Sequence, residues 1–358
     1  MSIPSELSLC MIVRDEEEVL ERCLRSIHDL VDEIIIVDTG STDRTKQIAK
    51  SFTDSIYDFE WMDDFAAARN YSFSQATKDY ILWLDADDVL LDSDRKALRE
   101  LKKQLDGTID RVTMPYHLTT DQSGNVSYSL RRNRIVRRDA GFLWYGKVHE
   151  YLEVSGAGLD SHAAITHKSE KPPSSRNLQI YLGMQAKQEP FTLRDTLYFA
   201  NELMYNNRKE EAITQFEKFL SSEEGWLEDK ITACLHIANC YKGIDETKRL
   251  CYLFKTFQYD VPRAEACNEL AQLFIEKDEL EKAVFWLELV YSLDQPKTMG
   301  IVNQSTRTWM PCIQLTYCYD RLGQFDKAYQ QHLKAKKLVP THPSVLFNDA
   351  YFSQRVSH

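Results

Sequence analysis

Three carboxylates close the run Tyr80-Ile81-Leu82-Trp83-Leu84-Asp85-Ala86-Asp87-Asp88-Val89, with only Ala86 between the first two. Hard divalent cations take oxygen ligands of this kind, and a phosphate-bearing substrate can share the ion. The chemistry suggested is a combined metal and nucleotide site. The plainer alternative is a helix start, with Asp87 or Asp88 capping the segment 91–105. Asp38 follows the β-branched run Glu33-Ile34-Ile35-Ile36-Val37 and precedes Thr39-Gly40. Its carboxylate can accept the N3–H of a uracil, a group that cytosine lacks, or simply hold a turn. Ser41, Thr42 and Asp43 read as caps of the next helix. Arg131, Arg132, Arg134, Arg137 and Arg138 form a basic cluster on an acidic chain. Arginine grips diphosphates bidentately, but solvated strand faces account for most such charges, which leaves a ligand role to one or two. In Tyr145-Gly146-Lys147-Val148-His149-Glu150, an extended backbone would send His149 and Glu150 to opposite faces.

The elements that position these groups are legible as alternating patterns. Leu7-Ser8-Leu9-Cys10-Met11-Ile12-Val13 reads as a buried strand ending at Arg14-Asp15-Glu16-Glu17, after which Val19, Leu20, Cys23, Leu24 and Ile27 recur at helical spacing. Strands at 33–37 and 55–59 and helices at 44–52 and 65–75 follow, and the run opening at Tyr80 is the next strand, buried on both faces. Such alternation predicts a doubly wound, mostly parallel α/β sheet. Arg14, Asp38 and Asp85 then share the carboxyl edge, where such sheets bind ligands. From Val112 the character turns to mixed strands, with 113–117 and 126–128 antiparallel about a turn at 121–125. Ala163-Ala164-Ile165-Thr166-His167-Lys168 is a short strand carrying a histidine at its end. The Pro-Pro stretch 168–175 reads as a lid or active-site loop, and a helix from Arg176 closes this half near residue 190.

Residues 191–358 are helical throughout and repeat loosely. Asn206-Asn207-Arg208-Lys209-Glu210-Glu211-Ala212 resembles the stretches ending at Ala283 and Ala328. From Ala212 to Ala283 is close to two periods of ~34–36 residues, the tetratricopeptide length. A degenerate repeat lies between, at 233–257, and an insertion at 297–306. Stacked helix pairs make a small solenoid, either a docking surface for an extended peptide, a dimer contact or a cap on the first half. Tyr198, Tyr205, Tyr241 and Tyr252 suit any of these.

A net charge of −11 over 358 residues argues against a general nucleic-acid binder. No run approaches the ~18 apolar residues of a transmembrane helix, and the opening residues lack the basic and apolar regions of a signal peptide. The eight cysteines include no Cys-x-x-Cys pair and read as buried thiols. The expected location is the cytoplasm.

Cys10 to Glu17, Ile36-Val37-Asp38-Thr39-Gly40-Ser41-Thr42-Asp43, Ala68-Arg69-Asn70 and Leu84-Asp85-Ala86-Asp87-Asp88 occur in the order found in family-two glycosyltransferases of GT-A fold. The resemblance implies a nucleotide-sugar site formed by Val13, Arg14, Glu16, Asp38, Arg69, Asp85 and Ala86. Within it, Asp38 would bind uracil, Asp85 the ribose, and Arg69 the uracil or diphosphate; without the resemblance Arg69 reads as a surface arginine. It also implies Mg²⁺ or Mn²⁺ held by Asp87, with Asp88 beside it and His167 completing the shell. The Tyr-Gly-x-Val-His-Glu block is similar to one in transferases that modify bacterial surface sugars and peptides. There Glu150 is the first choice for the base an inverting transfer needs, with His149 its neighbour, or the two support an acceptor loop. With the repeats added, the chain resembles the enzymes that glycosylate bacteriocin peptides, among them the sublancin-type S-glycosyltransferases. That resemblance implies transfer of a hexose, glucose first, from a UDP-sugar to Cys or Ser of a peptide docked on the repeats, in a possible homodimer. A transferase of lipopolysaccharide or other surface glycan, and an inactive repeat scaffold that senses a sugar nucleotide, are the alternatives.

Overall fold

A computed structural model describes residues 5–121, 124–171, 174–295 and 298–356. The opening residues 1–4, Gln122 and Ser123 of the expected turn, Pro172 and Pro173 of the expected loop and Lys297 of the expected insertion lie outside these. The chain divides into two compact units, 1–119 with 129–189, and 120–128 with 190–358.

In the first unit β1 (Leu7–Val13), α1 (Leu20–Ile27), β2 (Glu33–Asp38), α2 (Thr45–Lys50), β3 (Ile56–Asp58), α3 (Phe65–Ser74) and β4 (Tyr80–Trp83) alternate as the patterning predicts. β5 (Asp88–Val89), α4 (Asp92–Lys102), β6 (Arg111–Thr120), β7 (Val126–Arg137), β8 (Trp144–Tyr145), β9 (Tyr151–Leu152), β10 (Gly158–Asp160), β11 (Ile165–His167) and α5 (Arg176–Ala186) follow. The main sheet runs β3-β2-β1-β4-β7-β6-β11-β5. Its first four strands are parallel, and the antiparallel β4–β7 pair begins a mixed half. Period-two alternation builds a core on each face. Leu7, Leu9, Met11 and Val13 pack with Leu20, Leu24 and Ile27 of α1 and with Leu98 and Leu101 of α4. Cys10, Ile35, Val37, Ile81 and Trp83 face the other way, onto Ala66 and Phe73 of α3 and onto Trp144.

The second unit is a stack of helix pairs. These are α6 (Leu193–Tyr205) with α7 (Lys209–Leu220), α8 (Leu227–Tyr241) with α9 (Glu246–Lys255) and α10 (Ala264–Glu276) with α11 (Leu280–Val290). After β12 (Val302–Asn303) come α12 (Trp309–Arg321) with α13 (Phe325–Leu338), and finally α14 (Pro343–Val356). The fourth, eighth and eleventh residues from each second-helix start are buried: Ala212, Phe216 and Phe219; Ala283, Leu287 and Val290; Ala328, His332 and Ala335. In the degenerate repeat the same positions hold Arg249, Leu253 and Thr256, all likewise buried. The tip of the β6–β7 hairpin belongs to this unit. Asn125 Nδ2 donates to the Leu338 carbonyl at 3.0 Å, and Asn303 Nδ2 to the Tyr128 hydroxyl at 3.0 Å. The cysteines are free and buried except Cys251, which is exposed against expectation.

Candidate functional site

Parallel register places the polar ends of three strands together. Val13 pairs with Asp38 and Cys10 with Trp83, so Arg14, Asp38 and Asp85 lie at the carboxyl ends of adjacent strands. Asp38 is 1% exposed. Its Oδ1 accepts the backbone N–H groups of Gly40 and Ser41 at 2.9 Å, which is the turn role. Its Oδ2 is buried with no hydrogen-bond partner. Residues 41–45 also tie down the loop after β1. Ser41 Oγ accepts from the Asp15 amide, Asp15 Oδ1 from that of Thr42, and Asp43 Oδ2 from that of Glu17. Asp43 Oδ1 accepts the Thr45 amide at 2.9 Å, while the cap position of α2 is held by Arg44 without a side-chain cap bond, so Ser41, Thr42 and Asp43 do not occupy the cap expected of them. Val13 and Ala86 are buried, and Arg14 is exposed. Glu16 pairs with Lys171 Nζ at 2.7 Å, and the same ammonium reaches the Arg14 carbonyl at 3.3 Å, so the segment before the Pro-Pro pair is tied to the β1 end. Burial raises the Glu16 pKa against the pull of Lys171.

Arg69 is no surface arginine. Its side chain is 9% exposed and its guanidinium carbon lies 4.9 Å from the ring centres of both Trp83 and Trp144. Nη2 donates to Asp85 Oδ1 at 2.7 Å and Nε to Glu150 Oε1 at 2.6 Å. Burial pushes the Asp85 pKa up, but Arg69, Arg134 and Arg132 together hold it well below the usual carboxylate range. The same two carboxylates raise the pKa of Arg69 in spite of its burial. The single guanidinium therefore joins the β4 end to the Tyr-Gly-x-Val-His-Glu block.

That block is not extended. Gly146 has φ +94° and His149 φ +50°, so the chain turns between β8 and β9, and the expectation that His149 and Glu150 alternate across a strand does not apply.

The acids after β4 separate in role. α4 begins after Leu91 with no side-chain cap, which removes the capping alternative for Asp87 and Asp88. Asp88 is 0% exposed; its Oδ2 accepts the Asp85 amide at 3.0 Å and pairs with Arg134 Nη1 at 3.0 Å, while its Oδ1 has no hydrogen-bond partner. The antiparallel β5–β11 register sets His167 opposite Asp88. His167 Nδ1 is 3.4 Å from Asp87 Oδ1, 3.9 Å from Asp88 Oδ1 and 3.0 Å from the Tyr116 hydroxyl. Asp87, Asp88 and His167 offer ligand atoms all within 4.8 Å of one another. The two carboxylates lift the His167 pKa to about 10, so the cluster attracts positive charge. Two carboxylate oxygens, one of them buried and unpartnered, with an imidazole fit a divalent cation such as Mg²⁺ or Mn²⁺. Sequence reasoning reached Asp87 and His167 but left Asp88 as a neighbour. The signal was Arg134, a charge next to the apolar pair Ile135-Val136, which calls for a buried carboxylate.

Among the described residues no helix is long and apolar enough to cross a membrane. Residues 8–152 match the family model described as glycosyl transferase family 2, and residues 264–296 match a tetratricopeptide repeat. The chain is 42% identical over 151 residues to a TPR repeat-containing protein of Synechococcus elongatus, covering 42% of this chain and 36% of that one. It is 28% identical over 226 residues to the SPbeta prophage-derived glycosyltransferase SunS of Bacillus subtilis, covering 59% and 52%. To the lipopolysaccharide core biosynthesis glycosyltransferase LpsC of Rhizobium meliloti it is 29% identical over 161 residues, covering 42% and 58%. The chain thus spans well under two thirds of each relative's own length. Its amino-terminal part is a family 2 glycosyl transferase domain with a GT-A, Rossmann-like sheet, and tetratricopeptide-type helical repeats follow it.

Proposed function

We propose that the protein is an inverting glycosyltransferase that moves a hexose, glucose first, from a UDP-sugar to a Cys or Ser side chain of a peptide. The observation that carries this reading is the β1-β2-β4 edge, where the unpartnered oxygen of Asp38 and the Asp87–Asp88–His167 cluster flank Asp85. On this reading Asp38 Oδ2 accepts the uracil N3–H. Asp85, kept ionised beside Arg69, accepts from the ribose hydroxyls, and Val13, Arg14, Glu16 and Ala86 line the nucleotide. Arg69 acts through both its carboxylates and fixes the donor and acceptor sides together. Asp87, Asp88 and His167 would hold Mg²⁺ or Mn²⁺, which when bound neutralises the diphosphate. Glu150 gives Oε1 to Arg69, which leaves Oε2 to take the acceptor proton. A thiol, with a free pKa near ~8.5, gives that proton up more readily than a hydroxyl, which favours Cys over Ser.

In this proposal residues 1–190 carry out the transfer and residues 191–358 present the acceptor peptide, in line with the use of repeat solenoids as binding surfaces. The SunS relative, itself a glycosyltransferase, supports the assignment. LpsC supports a second reading, transfer to a lipopolysaccharide-type glycan. The test is intact-mass measurement of Cys- and Ser-containing peptides after incubation with the protein, Mn²⁺ and a panel of UDP-sugars. A peptide gaining one hexose, and no longer doing so with Asp87→Ala, is the expected result. Transfer only to a glycan acceptor selects the second reading, and tight sugar-nucleotide binding without any turnover selects a sensing scaffold.

A further inference from the structure

Of the five arginines at 131–138, four have their partners inside the fold. Arg131 Nη2 donates to the carbonyls of Thr113 and Ser161, each at 3.0 Å. Arg134 is fully buried on Asp88. Arg137 Nη1 donates to the Gly107 carbonyl at 2.7 Å, and Arg138 Nε to that of Lys78 at 2.7 Å. Arg132 is different. It forms no hydrogen bond or ion pair among the described residues.

Its surroundings are nonetheless specific. The guanidinium carbon of Arg132 lies 5.3 Å from the centre of the Tyr116 ring and 5.8 Å from that of Trp83. Arg134 occupies the next place along the same rings, at 4.4 Å and 3.9 Å. β7 runs antiparallel to β4 with Leu82 opposite Ile135. Moving from Arg134 back to Arg132 therefore advances two residues, about 6.6 Å, toward the carboxyl end of β4. That end leads directly into Asp85. Tyr116, under the guanidinium, also touches His167 of the metal-type cluster. Arg132 is thus a half-buried cation over two aromatic rings at the mouth of the site. The carboxylates around it, Asp85 and Asp88, already pair with Arg69 and Arg134. Such a cation is best satisfied by an anion that arrives from outside.

We propose that Arg132 is a contact residue for the donor's diphosphate, where it takes up negative charge that develops on the leaving nucleotide. The inference rests on the sugar-nucleotide reading of the site. In the transfer, the acceptor heteroatom forms a bond to the anomeric carbon while the bond from that carbon to the β-phosphate oxygen breaks. The bonding pair stays on the phosphate oxygen, which gains one negative charge, and the acceptor proton goes to the base. Arg132 neither gives nor receives a proton; its planar fork hydrogen-bonds the oxygens as they become more anionic.

The test is calorimetric binding of UDP and of uridine, in Mn²⁺, to the full chain and to its Arg132→Gln and Arg132→Lys variants, with thermal melting as the fold control. Arg132→Gln is expected to weaken UDP about tenfold or more while uridine binding and melting stay unchanged, and Arg132→Lys to fall between, since a loss of that size is typical of one charge-assisted hydrogen bond. UDP affinity within twofold of the parent in Arg132→Gln overturns the inference and leaves the sugar-nucleotide reading standing. A parallel fall for uridine makes Arg132 a structural prop of the pocket and also overturns it. If the unaltered protein binds neither ligand, the sugar-nucleotide reading fails and the inference with it.

Discussion

Asp38 gives one oxygen to the turn after β2 and keeps the other buried and unpartnered. Leaving a buried acceptor unmade costs about 1–3 kcal/mol, and more when it is charged, so a donor that meets it is bound selectively. Uracil offers N3–H at that place, whereas cytosine offers a lone pair. Asp38→Asn keeps the size and the two turn bonds but aims an amide N–H at the base. UDP affinity should fall about tenfold or more, and the preference for UDP over CDP should narrow or reverse, in competition binding with Mn²⁺. Equal affinity of the unaltered protein for UDP and CDP would remove the base-reading role. The strand-end positions of Asp38 and Asp85 were legible in the sequence because each follows an apolar run that ends abruptly, and parallel register does the rest. Asp88 and Arg69 were not fully legible, since the meaning of each depends on partners from other elements, Arg134 and His167 for the one and Glu150 for the other. The direction of the His149 side chain was not legible because alternation assumes an extended chain, and the loop turns through a left-handed residue there.

Among the elements, the helical repeats were readable where small residues recur, at Ala212, Ala283 and Ala328, which let paired helices approach closely. The second repeat was obscured for two reasons that the structure makes plain. Four residues, 242–245, link α8 to α9 where three link α6 to α7, and Arg249 stands where the other repeats put alanine. Its buried guanidinium pairs with Glu246 at 3.0 Å, and with Glu269 at 3.2 Å and Glu276 at 2.6 Å on α10. A buried cation therefore adds to the apolar cluster of Leu253, Leu270 and Leu273 that links this repeat to the next. Arg249→Ala restores the residue of the other repeats and introduces no clash, but it strands three glutamates and leaves the space of a long side chain. Removing one member of a buried pair can cost 3–5 kcal/mol, and the partly exposed glutamates are relieved by water, so a loss of about 1–3 kcal/mol is expected. Urea unfolding of the full chain measures it. A change below about 0.5 kcal/mol, the range of ordinary surface substitutions, would mean that the ion cluster does not hold the repeats together.

For the whole chain, the net charge of −11 says little about acid stability, because protonating exposed carboxylates first relieves self-repulsion. Half-buried groups decide it, and two of them, Asp229 and His236, lie on one helix. Burial holds the His236 pKa down to about 4 from 6.5, and burial, with Glu228 adding and Arg194 opposing, raises that of Asp229 to about 6 from 3.8. Their signs are opposite. The unfolded chain protonates His236 below about 6.5 while the folded one keeps it neutral down to about 4, so its contribution is present above that window and is lost as pH falls through it. Folded Asp229 holds its proton up to about 6 while the unfolded chain releases it near 3.8, so its contribution is lost as pH rises through that window. Each window corresponds to at most about 3 kcal/mol, and between the two they nearly cancel. The unaltered protein should therefore show an almost level contribution from this helix between pH 4 and 6. Asp229→Asn should lose on the order of 3 kcal/mol on going from neutral pH to the acid end of that window, and His236→Gln should instead gain stability as pH falls. Urea titrations of the full chain at several pH values, followed by the helical circular dichroism signal, separate the two slopes. An Asp229→Asn profile no steeper than the parent would show that burial does not keep Asp229 protonated in the folded chain, and the compensation between the two groups would then be absent.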